Sequence, residues 1–183
     1  MSVPRLWLFM LLLTMLTCGV EALAEQSDGS CQSLLPPALQ KEIKARYPKW
    51  RLMELSDMSS DDAKLWVGRR GEVCPGVAIG DFDGSKLDQY ALLLLRKKPR
   101  QTVILLYSAK QPTGRYRFAT LVQGPTALIP VVFKGDPGDY YEADKGQTPI
   151  KIKGDTIIYE IMEAGTEVFY FAGGRIKRLT LSY

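Results

Sequence analysis

The chain has 183 residues, with 24 Lys and Arg against 20 Asp and Glu and a formal net charge of +4. So small and dispersed an excess gives no electrostatic footprint for nucleic acid. No histidine is present, which removes the commonest general base and the commonest zinc ligand together.

The first segment reads as a leader. Arg5 supplies a positive start, Leu6 to Val20 is almost wholly apolar, and Ala22-Leu23-Ala24 places small residues at the last and third-last positions before a cut. This pattern predicts a signal peptide over 1–24, cleaved between Ala24 and Glu25, and one domain over 25–183. The apolar run falls short of the roughly 20 residues needed to span a bilayer, so no transmembrane span is expected after cleavage. Lipidation of Cys18 is the alternative, but Thr17 stands where a lipoprotein signal favours Gly, Ala or Ser. A periplasmic or secreted location follows.

Cleavage removes Cys18 and leaves Cys31 and Cys74. An even pair in an oxidising compartment predicts one disulfide, closing a loop of about 44 residues and worth roughly 4 kcal/mol on the chain-entropy argument.

After a polar stretch, Leu35-Pro36-Pro37 opens a helix, because proline is tolerated in a first helical turn. Leu39, Ile43 and Tyr47 follow at helical spacing and Pro48 ends the segment. Trp50 to Leu55 predicts a strand. Ser59-Ser60-Asp61-Asp62 then gives a cap and an acidic first turn for a second helix, with Arg69 and Arg70 in its last turn and a stop at Gly71.

From Val77 onward the chain predicts sheet. Tyr90 to Leu95 is too apolar for a half-exposed strand and reads as a central one. Thr102 to Tyr107, Tyr116 to Val122 and Ile129 to Phe133 follow as strands, and polar loops cover Gly135 to Asp139 and Glu142 to Thr148. Further on, Ile150 and Ile152 precede a two-residue Gly154-Asp155 loop into Thr156 to Met162, and Val168 to Phe171 turns at Gly173-Gly174 into Ile176 to Leu181. The fold class predicted is α+β: two N-terminal helices packed on a mostly antiparallel sheet, a meander of hairpins.

One loop has the composition for chemistry. Asp81-Phe82-Asp83-Gly84-Ser85 puts oxygen side chains at positions one, three and five of a tight turn. Leu87 could add its carbonyl at seven and Gln89 its side-chain amide at nine, the alternation by which oxygen-ligand loops hold calcium. Gly80 to Ala91 here resembles the FG-GAP/VCBS-type calcium loops of secreted β-repeat proteins. More loosely, the region from Trp66 resembles small exported bacterial proteins that carry one such motif. The resemblance implies a Ca2+ ligand set of Asp81, Asp83, Ser85, Leu87 and Gln89. The departures are Ser85 and Gln89 where the pattern has acids, and Lys86 where it has glycine. Two carboxylates imply low affinity with waters completing the shell. The other reading is that Asp81 and Asp83 are turn residues bonding their own backbone.

No nucleophile elbow and no phosphate-cradling glycine loop occurs. Glu160 with Glu163, and Asp139 with Glu142, are the carboxylate pairs that could hydrolyse glycosides. Tyr140-Tyr141, aromatic residues in a polar stretch, are candidates for a binding surface. The basic spots Lys97-Lys98-Arg100 and Arg175-Lys177-Arg178 read as edge and turn charges that discourage strand pairing. The expectation is an exported, non-catalytic domain binding a protein or envelope component, of inhibitor or immunity type. A carboxylate-dependent envelope hydrolase, with or without calcium, is the alternative.

Overall fold

The computed structural model describes residues 31–71, 74–98, 101–143 and 148–181. The predicted leader, Cys18 and Arg100 lie outside the described residues.

A short 3-10 turn, Cys31–Leu34, leads into α1 (Pro37–Arg46), with proline at the start of the helix as expected. β1 is only Arg51–Leu52, because the chain turns into a second 3-10 segment at Leu55–Asp57. The predicted strand through Leu55 is thus cut short. Here the Asp57 carboxylate caps the Glu54 N–H at 3.1 Å and takes both guanidinium nitrogens of Arg51, with Lys97 Nζ at 3.1 Å. α2 (Ser60–Arg70) begins where Ser59 Oγ accepts the Asp62 N–H at 3.1 Å. It ends at Gly71, whose φ of 69° lies in the left-handed region that favours glycine.

The strands that follow are β2 (Val77–Gly80), β3 (Gln89–Arg96), β4 (Thr102–Lys110), β5 (Tyr116–Pro125), β6 (Val131–Gly135), β7 (Gly138–Tyr140), β8 (Ile150–Ile152), β9 (Thr156–Ile161), β10 (Gly165–Ala172) and β11 (Arg175–Leu181). The α+β class holds, with antiparallel pairing at every named strand pair. The strands divide into two larger sheets and a ribbon. In the first sheet β3 is central, joined to β4 and then β5 on one side. Its other side is shared by β2, along Gln89 to Leu92, and β1, along Leu94 and Leu95. The backbone at Gly76 passes so close to Met53 there that a Cβ would collide with its carbonyl oxygen. The second sheet runs β11-β10-β9-β6, and β7 pairs with β8.

The expected hairpin across Gly154-Asp155 is corrected by this topology. β8 pairs with β7, while β9 lies between β6 and β10. The residues between β8 and β9 carry the chain from one layer to the next, so adjacency in sequence did not become adjacency in a sheet. The predicted polar stretch at Gly138 to Tyr140 becomes strand for the same reason: Ile152 needs a partner.

The layers follow from burial. Gln89 to Leu95 is buried throughout because β3 is covered on both faces. One face, with Tyr90, Leu92 and Leu94, packs against Leu35, Leu39 and Ile43 of the α1 region. The other, with Ala91, Leu93 and Leu95, shares a core with Val132, Ile157, Tyr159 and Phe169 of the second sheet. The far face of that sheet is covered by the β7–β8 ribbon through Ile152 and Tyr140. α2 contributes Trp66 to the core between the sheets, while its Arg70 stacks 3.7 Å over Phe133 and its Arg69 meets Glu160 at 3.4 Å. The terminal arginines therefore do more than complement the helix dipole. They bind the helix to the second sheet.

Cys31 and Cys74 are joined, with Cα atoms 5.3 Å apart. Both are buried in the layer under α1. The bond fixes the start of the described chain to the segment that leads into β2.

Candidate functional site

β2 and β3 form the expected hairpin, in register from Val77 with Leu92 to Gly80 with Gln89. Its long loop, Asp81 to Asp88, sits at one end of the two-sheet core, and the buried Phe82 side chain packs into that core. The hairpin therefore anchors the loop from both ends and from within.

The loop brings three of the five expected calcium ligands together, in an arrangement built around an amide. Gln89 is only 1% exposed. Its Oε1 accepts the Asp83 N–H at 2.9 Å, while its Nε2 donates to Asp83 Oδ1 at 2.5 Å and to Ser85 Oγ at 2.7 Å. The Ser85 N–H also donates to Asp83 Oδ1 at 3.0 Å, the side-chain-to-backbone bond of an Asx turn. Asp83 Oδ2 accepts from the Tyr107 hydroxyl at 3.1 Å. The Asp83 and Ser85 side-chain oxygens thus converge on the Gln89 Nε2 group.

The other two expected ligands are placed differently. Leu87 projects at the tip, 60% exposed. The Asp81 backbone N–H donates to Asp155 Oδ2 at 3.0 Å, and Asp81 Oδ1 is buried with no hydrogen-bond partner among the described residues. Asp155 in turn lies 3.6 Å from Lys134 Nζ. Lys86, where the resembling loops have glycine, takes a φ of 62°.

The electrostatics follow the hydrogen bonds. Burial pushes the Asp83 pKa up, but donors from Ser85, Gln89 and Tyr107 overcome that and hold it below the usual carboxylate range. Tyr107 is fully buried, and burial with the adjacent Asp83 charge raises its hydroxyl well above the ordinary value. The loop is therefore kept as a carboxylate facing neutral donors across the neutral pH range. Among the described residues, no group of three or more His, Cys, Asp or Glu side chains is placed to hold a metal ion.

Tyr107, Asp155 and Lys134 complete this cluster and were not foreseen. Tyr107 closes an apolar strand, and Asp155 follows the loop by more than seventy residues. No local pattern joins them.

The remaining candidates scatter. Glu160 is paired with Arg69, while Glu163 stands at a φ of 62° in the β9–β10 turn. Asp139 is exposed on β7, and Glu142 bridges to Leu181 at the end of β11. Tyr140 is committed inward: its hydroxyl bonds Asp136 O at 2.6 Å and lies 3.0 Å from Thr156 Oγ1, and its ring packs on the outer core. Tyr141, 49% exposed, is left as the outward aromatic of the pair. Lys97 is held by Asp57 and Arg178 by Glu167.

Comparison with protein-family models, with curated proteins and with solved structures gives no match for this chain.

Proposed function

We propose that this chain is an exported, disulfide-stapled domain that binds a protein or an envelope component without transforming it, in the manner of an inhibitor or immunity protein. The observation that carries the reading is the state of the carboxylates. Hydrolysis by a carboxylate pair needs one acid whose pKa is raised so that it can donate a proton. Asp57 and Asp83 are both held below the ordinary carboxylate range by the donors around them. Glu160, one of the candidates named from the sequence, faces the Arg69 guanidinium. The polar groups that the fold concentrates are spent on holding loops in place.

The buried Cys31–Cys74 bond supports a periplasmic or secreted location, since such bonds persist where thiols are not kept reduced. For the loop we favour a clasp closed by Gln89 over a calcium site, because its amide already satisfies Asp83 and Ser85.

The test is affinity capture from a bacterial envelope fraction with the mature chain, in parallel with turnover of cell-wall glycan. A stoichiometric retained partner and no turnover is the expected result. Turnover that disappears in Glu160→Gln would establish the hydrolase instead.

A further inference from the structure

We infer that the outer edge of β5 is a docking strand for an extended acidic segment of a protein partner, a conclusion that rests on the binding role proposed above. Among the described residues β5, Tyr116–Pro125, is the longest strand and pairs only with β4. The other long edges are more covered. β6 lies against the segment leading into β2, where the Val132 N–H donates to Pro75 O at 2.8 Å. The far end of β11 is met by Glu142 and by the Ala143 N–H, which donates to Thr180 O at 2.9 Å.

On β5 the protein itself covers the first position. The Tyr116 N–H donates to Glu42 Oε1 of α1 at 2.9 Å, and Arg46 of the same helix reaches Tyr116 O at 3.5 Å. The Tyr116 N–H therefore points away from β4. By the alternation of an antiparallel ladder, the amides of Phe118 and Thr120 point outward as well. Beyond them the register slips opposite Leu105 and Leu106, leaving Leu121 as an extra residue. Among the described residues no backbone segment is paired with the outer side of this stretch. An added strand finds open backbone groups there, the main-chain bonds by which sheet edges take up peptides.

Charge selects the occupant. The basic groups gather at one end of the edge: Lys110, Arg115 and Arg117 are exposed, and Arg46 is half exposed, 5.0 Å above the Phe118 ring. Glu42, an acid at that end, is engaged by Arg46 and by the Tyr116 N–H. The remainder, Thr120 to Pro125, carries no charge. Basic residues on an edge repel like strands, and the same residues attract an acidic one. A segment added antiparallel to β5 places its C-terminal half beside Arg115 and Arg117, so its acids belong in that half.

The probes are three ten-residue peptides of alternating Thr and Val whose C-terminal half carries Glu, Gln or Lys. Binding is read by fluorescence anisotropy at low and high salt, and the contact by amide hydrogen exchange. The Glu peptide is expected to bind about tenfold or more tighter than the Lys peptide, with the difference shrinking as salt screens it. Protection should fall on the Phe118 and Thr120 amides, and Arg117→Glu should shrink the preference for the Glu peptide. Equal binding of the three peptides, no binding at millimolar concentration, or protection on Arg175 to Leu179 would overturn the assignment. Thr120→Pro, checked for folding by its melting curve, removes one outward N–H and should abolish binding. If affinity capture retains the same partner on wild type and on both variants, the edge assignment falls while the binding role stands. If wild type retains nothing, the binding role itself falls.

Discussion

Replacing Gln89 by leucine tests the clasp directly. The change keeps an apolar-sized side chain in a buried position and deletes three hydrogen bonds, to the Asp83 N–H, Asp83 Oδ1 and Ser85 Oγ. Two of these are neutral, worth about 1 kcal/mol each, and the one to the carboxylate is worth about 1.5–3 kcal/mol. Leucine recovers about 1 kcal/mol by burial of its methyl groups. The expected net loss is about 3 kcal/mol, which for a domain of this size lowers the melting midpoint by roughly 6–12 °C. Urea titration with circular dichroism at pH 7 measures it. Calcium supplies the second arm. The wild-type midpoint should be the same in millimolar calcium and in chelator, because an ion must first displace the amide. Gln89→Glu sets a second carboxylate beside Asp83, so it should melt lower in chelator by like-charge repulsion and recover in calcium by mass action. A loss below about 1 kcal/mol in the leucine variant, or a calcium-dependent rise in wild type, would refute the clasp.

Three further outcomes are expected. The Asp57 carboxylate, 3% exposed, is lowered to about 2; burial opposes the shift, but the bonds from Arg51, Glu54 and Lys97 outweigh it. A depressed folded value means that its contribution is present above the unfolded value of 3.8 and is lost as pH falls toward about 2. Asp57→Asn should therefore flatten the stability profile between those limits, and a profile of unchanged slope would contradict the assignment. Replacing both Cys31 and Cys74 by serine should cost roughly 4 kcal/mol, read by urea titration, and reductant on the wild type should reproduce the loss. Ser108 is fully buried on β4 and its hydroxyl has no hydrogen-bond partner among the described residues. Ser108→Ala should leave stability unchanged or raise it by up to about 1 kcal/mol, because a desolvation penalty is removed with no bond lost; a loss above about 1 kcal/mol would mean the hydroxyl has a partner.

The sequence alone determined the features whose causes are local. Ser59 caps α2 because a short oxygen side chain reaches the N–H three residues on, and Gly71 ends it because the next backbone step is left-handed. Tyr90 to Leu95 had to be central because no solvated face could carry so apolar a run. The cysteine count left Cys31 with Cys74, and the bond is there. Tertiary structure decided what depended on distant partners. Ile150 and Ile152 stand beside a good turn, yet β8 joins β7, and both side chains pack on the far face of the second sheet. The Asp81 loop has the spacing of an ion loop, and only the fold discloses that the Gln89 amide fills its centre while Tyr107 reaches Asp83 from the neighbouring strand. Spacing along the chain made Asp83 and Ser85 neighbours, but Asp81, of the same spacing, was drawn to Asp155. What such oxygens converge upon is set by the side chains that packing brings to the same point.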